Sequence, residues 1–225
     1  MPAGTRRILS AGAVIGQRFE FDLLVQITRA SRQTVVEALR AGVHTQLIED
    51  TDSGWRYAFR HALFRDALLG ELIGPERQDL HRAAGLALEG AVTEPARASV
   101  SRRLARHFDA GGDVERAVHY HLAAATLSSG NTTTWPTGFS ANADVAAHLA
   151  RALALAPADH PHRAEMLRVY AWAQDDRAVR LSIIEESRAQ AQTAGDLRGV
   201  ALSTVMAGVW LAMRGDRSGL MGIRE

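Results

Sequence analysis

The chain has 225 residues, of which 47% are hydrophobic and 23% charged, and carries a formal net charge of +1. That length holds one large domain or two small ones with their own cores, and the charge balance excludes a global field that draws in nucleic acid. There is no Cys and no Lys, so disulfides, thiolate metal sites, a Cys nucleophile, a P-loop Lys and a Schiff-base Lys are all excluded.

Arg6-Arg7 followed by Ile8 to Ile15 faintly mimics an export signal, but the apolar run has Gly12 inside it and Gly16 at its end, and stops at Gln17-Arg18. It reads instead as part of a fold, ending at Gly16. Phe21, Leu24, Val25 and Thr28 follow the i, i+3, i+4, i+7 spacing of one helix face. Ser31 is a good N-cap for the next helix, whose buried stripe is predicted as Val36, Leu39 and Val43.

A hairpin signal follows, with candidate strands Gln46–Asp50 and Trp55–Phe59 around the turn Thr51-Asp52-Ser53-Gly54. Trp55, Tyr57 and Phe59 alternate with Arg56, Ala58 and Arg60, so one strand face is aromatic and the other basic. Three short helices and a hairpin form the pattern of a winged helix, a helix-turn-helix variant, over residues 1–74. From Arg60 the period changes to that of a helix. Phe64, Leu68 and Leu72 line its inner face with Leu63 and Ala67 beside them. Gly74-Pro75 ends it, and Pro75 suits the start of the next.

Residues 75–225 read as helices only, so the fold class is mainly α, a winged-helix domain with a small β-hairpin followed by a tetratricopeptide-like region. Stripes run through Leu80, Ala84, Ala87, Leu88 and Ala91, through Val100, Leu104 and Phe108, through Val114, Ala117, Val118, His121, Leu122 and Ala125, and through Val145, Leu149, Ala152, Leu153 and Ala156. Gly-Asp breaks at Gly112-Asp113, Gly195-Asp196 and Gly215-Asp216 suit helix ends and N-caps, and their spacing fits helical hairpins of roughly 40 residues. An irregular bundle is the other reading. Ser128–Asn142 is polar and reads as an exposed loop. Ala201–Met213 is the most apolar window and is too short to span a bilayer.

No catalytic motif is self-sufficient. His119 and His121 stand at i and i+2, which point to different helix faces, so they make a poor metal pair. His160-Pro161-His162 lacks a third ligand nearby. Asp175-Asp176 and Glu185-Glu186 suit exposed faces or a helix cap, and there is no Gly-x-Ser-x-Gly.

The stretch from Gly54 to Glu89 carries a resemblance. Tyr57, Phe59, Arg60, His61, Ala62, Leu63, Arg65 and Ala67, then Glu76, Arg77, Leu80, His81, Arg82 and Ala84, resemble two recurring phrases of large bacterial signal-transducing ATPases. These belong to the LuxR-type transcriptional regulators and some nucleotide cyclases. Leu104-Ala105-Arg106-His107-Phe108 and Ala110 to Ala117 are similar to further phrases of that family. The resemblance covers roughly residues 8 to 125.

It implies that the chain corresponds to the middle of such a regulator. The family's ATPase domain belongs before residue 8, and the chain has neither G-x-x-x-x-G-K-[ST] nor a Walker-B-like strand. ATP or ADP is therefore implied only for the full-length family architecture. With an ATPase domain present, His61 would reach a phosphate of bound nucleotide, with Arg60 and Arg65 beside it. The helical repeats would bind a protein or small effector. The setting implied is cytoplasmic, with no membrane partner and no catalysis by this chain. In this reading Leu9 to Ile15 would face the ATPase domain and be left exposed here.

The alternative is a stand-alone DNA-binding winged helix, using Arg32 and Arg40 on the recognition helix and Arg56 on the wing. Glu37, Glu49, Asp50 and Asp52 lie among them and oppose a phosphate backbone.

Overall fold

A computed structural model describes residues 1–128, 143–174 and 176–212. The predicted loop at 128–142 (beyond Ser128), Asp175 and the break at Gly215-Asp216 lie outside the described residues. The described chain is mainly helical, with eleven helices and a three-stranded antiparallel sheet. It divides into two compact units, Met1–Asp113 and Val114–Glu225. The sequence places a boundary after residue 74, whereas residues 75–113 belong to the first unit.

In the first unit, α1 (Ala3–Ile15) is followed by β1 (Arg18–Glu20), α2 (Phe21–Thr28), α3 (Arg32–His44), β2 (Ile48–Asp50), β3 (Arg56–Phe59), α4 (Ala62–Gly70), α5 (Gly74–Ala91) and α6 (Glu94–Ala110). The strands lie in the order β1-β3-β2, with Phe19 opposite Tyr57 and Ile48 opposite Phe59. The core is built on α1, whose residues Ile8 to Ile15 are all buried. It continues through Phe19, Leu24, Val35, Leu39, Ile48, Phe59 and Leu68, and reaches Ala84 of α5.

Local chemistry accounts for the element ends. Ser31 accepts the Thr34 backbone N–H at 3.1 Å and so caps α3, as its position predicts. Pro75 stands in the first turn of α5, where a missing N–H is harmless. Glu76 accepts the Ile73 backbone N–H at 3.4 Å.

Four expectations are corrected. Leu9 to Ile15 is not exposed, because α2, α3, α4 and α5 all pack around it. The buried stripe of α3 is Val35, Ala38, Leu39 and Gly42, while Val43 is exposed. Leu63 and Ala67 face outward, Leu63 at 79% exposure, since α4 is applied to α1 along Leu68 and Arg65. The hairpin strands are shorter than predicted: Gln46 takes a left-handed conformation that starts β2 later, and Trp55 is exposed beside the turn.

The second unit contains α7 (Val114–Ser128), α8 (Ala143–Leu155), α9 (Arg163–Trp172), α10 (Arg177–Thr193) and α11 (Leu197–Ala212), each packed on its neighbour in sequence. Val118, Ala152, Ala156 and Met166 form one core, and Ala171, Ile184, Met206 and Trp210 another. Val114 is exposed instead of joining the α7 stripe. Asp176 caps α10 through the Val179 N–H, and Asp196 Oδ1 accepts the Gly199 N–H at 2.9 Å. Gly112 and Gly195 both have φ of +69°, the left-handed conformation expected of glycine at a helix end. The apolar window from Ala201 lies within α11, where Ser203, Met206, Ala207, Gly208 and Trp210 are buried. No helix among the described residues is long and apolar enough to cross a membrane.

Candidate functional site

Three of the residues singled out by the sequence, Arg60, His61 and Arg65, flank or start α4 but do not converge. His61 is the N-cap residue of α4, with extended backbone, an exposed side chain and no capping hydrogen bond. Its ring lies 5.4 Å from that of Phe64. Arg60 turns the other way, towards Glu49 of the hairpin at 3.7 Å. Arg65 turns inward, its Nε donating to the Ala13 carbonyl of α1 at 3.1 Å. The first two are available to a ligand; the third ties α4 to α1.

Arg32, Arg40 and Arg56 are all exposed, but each stands among acids. Arg32 meets Asp22 at 2.7 Å and lies over the Phe21 ring at 4.6 Å. Arg56 approaches Asp52 at 4.0 Å. Beside Arg40, Glu37 is exposed and bonded to Gln33 at 3.1 Å. A shallow cleft of about 490 Å³ runs between β1 and the hairpin turn, lined by Arg18, Phe19, Glu20, Thr51, Asp52 and Arg56. Its charges alternate in sign. No DNA-tracking basic stripe emerges from these side chains.

The denser constellation lies at the end of α1. An α-helix leaves its last four carbonyls without intrahelical donors, and this end also carries partial negative charge. The last turn of α1 has no basic residue of its own. Arg65 of α4 supplies a donor to Ala13, and Arg106 Nη2 of α6 donates to the Ile15 carbonyl at 2.5 Å. Arg106 Nη2 also lies 3.1 Å from His107 Nε2. A guanidinium only donates, so His107 Nε2 accepts and its proton sits on Nδ1. That proton is donated to His81 Nδ1 at 3.2 Å, which leaves His81 with its N–H on Nε2.

Both imidazoles are held neutral. Burial, then the neighbouring Arg106, His81 and Arg103, pushes His107 down to about 3, against a smaller opposing effect of the Ile15 backbone. Burial, then Arg106, Arg77 and Arg65, pushes His81 down to about 4. Arg106 is itself lowered, by burial first and then by Arg65 and Arg103.

The sequence does not foresee this network. Its signal was present: His81 and His107 both occur in the resembling phrases, each at the inner face of its helix. Nothing in the spacing says that residues 26 positions apart share a proton. A second, part-buried imidazole pair, His121 and His148, lies in the second unit with Nδ1 atoms 2.9 Å apart. Among the described residues no group of three His, Asp or Glu side chains is arranged to hold a metal ion.

No family model, no curated protein and no solved structure matches the chain.

Proposed function

We propose that the chain is a non-catalytic regulatory scaffold, the transducing and protein-binding part of an ATP-dependent transcriptional regulator. The observation that carries the reading is the layout of the first unit. A helix pair, α2 and α3, is joined by the three residues 29–31, and a hairpin follows whose strands close a small sheet with β1. This supports a winged helix. In the second unit, α7 to α11 pack in sequence order, which supports tetratricopeptide-like stacking and a surface for a protein or small effector. The exposed, uncommitted His61 side chain supports its role as a contact to nucleotide phosphate supplied by an ATPase domain in a longer chain or in trans. Such a regulator works in the cytoplasm.

The test begins with the reading frame upstream of the Met1 codon. An in-frame P-loop segment is expected. The joined product should bind ADP, and His61→Ala should weaken that binding about tenfold, or 1.4 kcal/mol. Unchanged ADP affinity in His61→Ala would overturn the role of His61. ATP turnover by the present chain alone, surviving purification and the same substitution, would overturn the scaffold reading.

A further inference from the structure

The α5–α6 hairpin has a core of its own. Phe108 is fully buried against Gly85, and Leu88 of α5 and Leu104 of α6 are buried as well. Its apolar hold on the rest of the first unit is small. To the main core α5 gives one fully buried residue, Ala84, with Leu80, Ala83 and Ala87 partly buried, and α6 gives none among the described residues. What α6 offers α1 and β1 is polar: Arg106 bonded to the Ile15 carbonyl and Arg103 to Glu20. A hairpin closed on itself and fastened by few groups can open locally while the remaining core stays folded.

The fastening ends in two imidazoles with no lone pair to spare. His107 Nε2 accepts from Arg106 at 3.1 Å and His81 Nδ1 accepts from His107 at 3.2 Å, so the one basic nitrogen of each ring already faces a donor. A proton added to either ring sets two N–H groups against each other and breaks that bond. The charged groups that face the pair give no relief. Arg65 of α4, Arg77 of α5, and Arg103 and Arg106 of α6 all oppose a further positive charge. The buried run of α1, Ile8 to Ile15, is uncharged. Glu20 of β1, Asp66 of α4 and Asp22 of α2 are each engaged by an arginine, Arg103, Arg65 and Arg32 in turn.

We propose that this chain of bonds, from the Ile15 carbonyl through Arg106 and His107 to His81, is a proton-operated latch that releases the α5–α6 hairpin from α1 in acid. It does not rest on the scaffold reading. Opening frees the basic nitrogen of each ring to water, where an imidazole titrates near 6.5, whereas the closed pair is held at about 4 and about 3. Opening therefore takes up protons below pH 6.5, and the open fraction rises as the pH falls towards the closed values. The open-to-closed ratio grows by at most about tenfold per pH unit for one ring and about a hundredfold for both. Release uncovers the Ala13 to Ile15 end of α1 and the α5 face that carries Leu80 and Ala84.

The test measures a distance in the full 225-residue chain. There is no native Cys, so Gln33→Cys on α3 and Ser99→Cys on α6, both exposed positions, carry the only two nitroxides for pulsed electron paramagnetic resonance. One short separation is expected at pH 7.5. A longer one should appear as the pH falls to 4.5 and vanish on return to 7.5. A reference pair, Gly4→Cys with Gln33→Cys, spans α1 and α3 and should keep its separation throughout. In His107→Gln and in His81→Gln one titrating ring is gone, so the ratio should change by at most about tenfold per pH unit, less steeply than in the parent. A variant open at every pH, with its reference pair unchanged, also supports the latch, because one of its bonds has been removed. A parent that keeps the short separation down to pH 4.5, a reference pair that lengthens together with it, or variants as steep as the parent would overturn the latch.

Discussion

Arg106 and Ile15 are joined by a hydrogen bond from guanidinium to carbonyl, across 91 positions of chain. It brings α6 onto the end of α1 and makes the first unit more than a helix pair with a hairpin. The same device recurs. Arg163 donates to the Leu153 and Ala156 carbonyls at the end of α8, Arg177 to the Trp210 carbonyl of α11, and Arg97 to the Glu89 carbonyl of α5. In a chain without Lys, a planar, always-charged fork is the available cation, and it satisfies orphan helix carbonyls at a distance.

Removing the Arg106 fork should therefore destabilise the first unit. Arg106→Ala leaves the Ile15 carbonyl short of its donor and unpairs His107 Nε2. The loss expected is about 2 kcal/mol, within the range for hydrogen bonds to charged groups. Arg6→Ala breaks only a 3.7 Å pair between half-exposed side chains and should stay within about 0.5 kcal/mol. Urea unfolding of both variants measures the contrast. Equal losses would mean that the Arg106 bond contributes no more than a solvated ion pair.

The imidazole pair makes a pH prediction. His81 and His107 sit at about 4 and about 3 in the fold, against 6.5 for an unperturbed group. Above pH 6.5 both are neutral folded and unfolded, and stability is full. Below it the unfolded chain takes up protons that the fold refuses, so stability falls as pH drops towards 4 and levels off below the folded values. The slope is at most about 1.4 kcal/mol per pH unit for each group, with the less buried His81 contributing less. His107→Gln removes one of the two and should flatten the decline of melting temperature between pH 6.5 and 4.5. An unaltered slope would show that His107 does not carry it.

Much of this fold is legible in the residues, for identifiable reasons. Ser31, Pro75, Asp176 and the left-handed Gly195 act through their immediate neighbours, so their roles follow from local spacing. Strand β1 escapes because three residues give almost no periodicity, and its pairing of Arg18 with Ala58 is set by tertiary packing. The stripe on α3 shifts because Gly42 lies against Ile48 and Leu9, a close approach that a hydrophobicity pattern scores as nothing. At the candidate site, His61 emerges exposed as an N-cap residue. The inward turn of Arg65 and the His81–His107 pair depend on α4, α5 and α6 meeting at α1, which no local rule encodes.

Two glycines of α5 should respond oppositely to the same change. A Cβ on Gly85 would lie 2.9 Å from Cε1 of Phe108, a ring fully buried between α5 and α6. Gly85→Ala therefore overpacks the site and should lose about 1–3 kcal/mol. Gly90 has open space around it, so Gly90→Ala should gain up to about 1 kcal/mol from helix propensity and a less flexible unfolded chain. Thermal unfolding distinguishes them; a matching sign would contradict the packing described at Phe108.

In the second unit, Ser187 Oγ donates to the Ala164 carbonyl at 2.7 Å, so the 3.0 Å bond to Ser203 must be donated by Ser203. Both hydroxyls are fully buried. Ser187→Ala strips the acceptor from Ser203 and a donor from Ala164, and should lose about 1–3 kcal/mol. Ser203→Ala removes only the outer donor and should lose less. The double variant should fall short of the sum by at least about 0.5 kcal/mol, because the second substitution removes the hydroxyl that the first had orphaned. Strict additivity in a double-mutant cycle would show that the two serines do not act as one chain of bonds.

His61 supplies the complementary case, a residue whose removal the fold should tolerate. Its side chain caps nothing, and α4 is held instead by Leu68 and by the Arg65 bond to Ala13. The His61→Ala variant should keep its stability within about 0.5 kcal/mol, the range of surface substitutions away from special features. Arg65→Ala should lose more, since it unties α4 from α1. A large loss in His61→Ala would make the imidazole a structural element resting on Phe64, and the exposed position would no longer support a ligand contact. A small loss leaves His61 a stable site for the nucleotide test, where any effect on ADP affinity can be read without a change in folding.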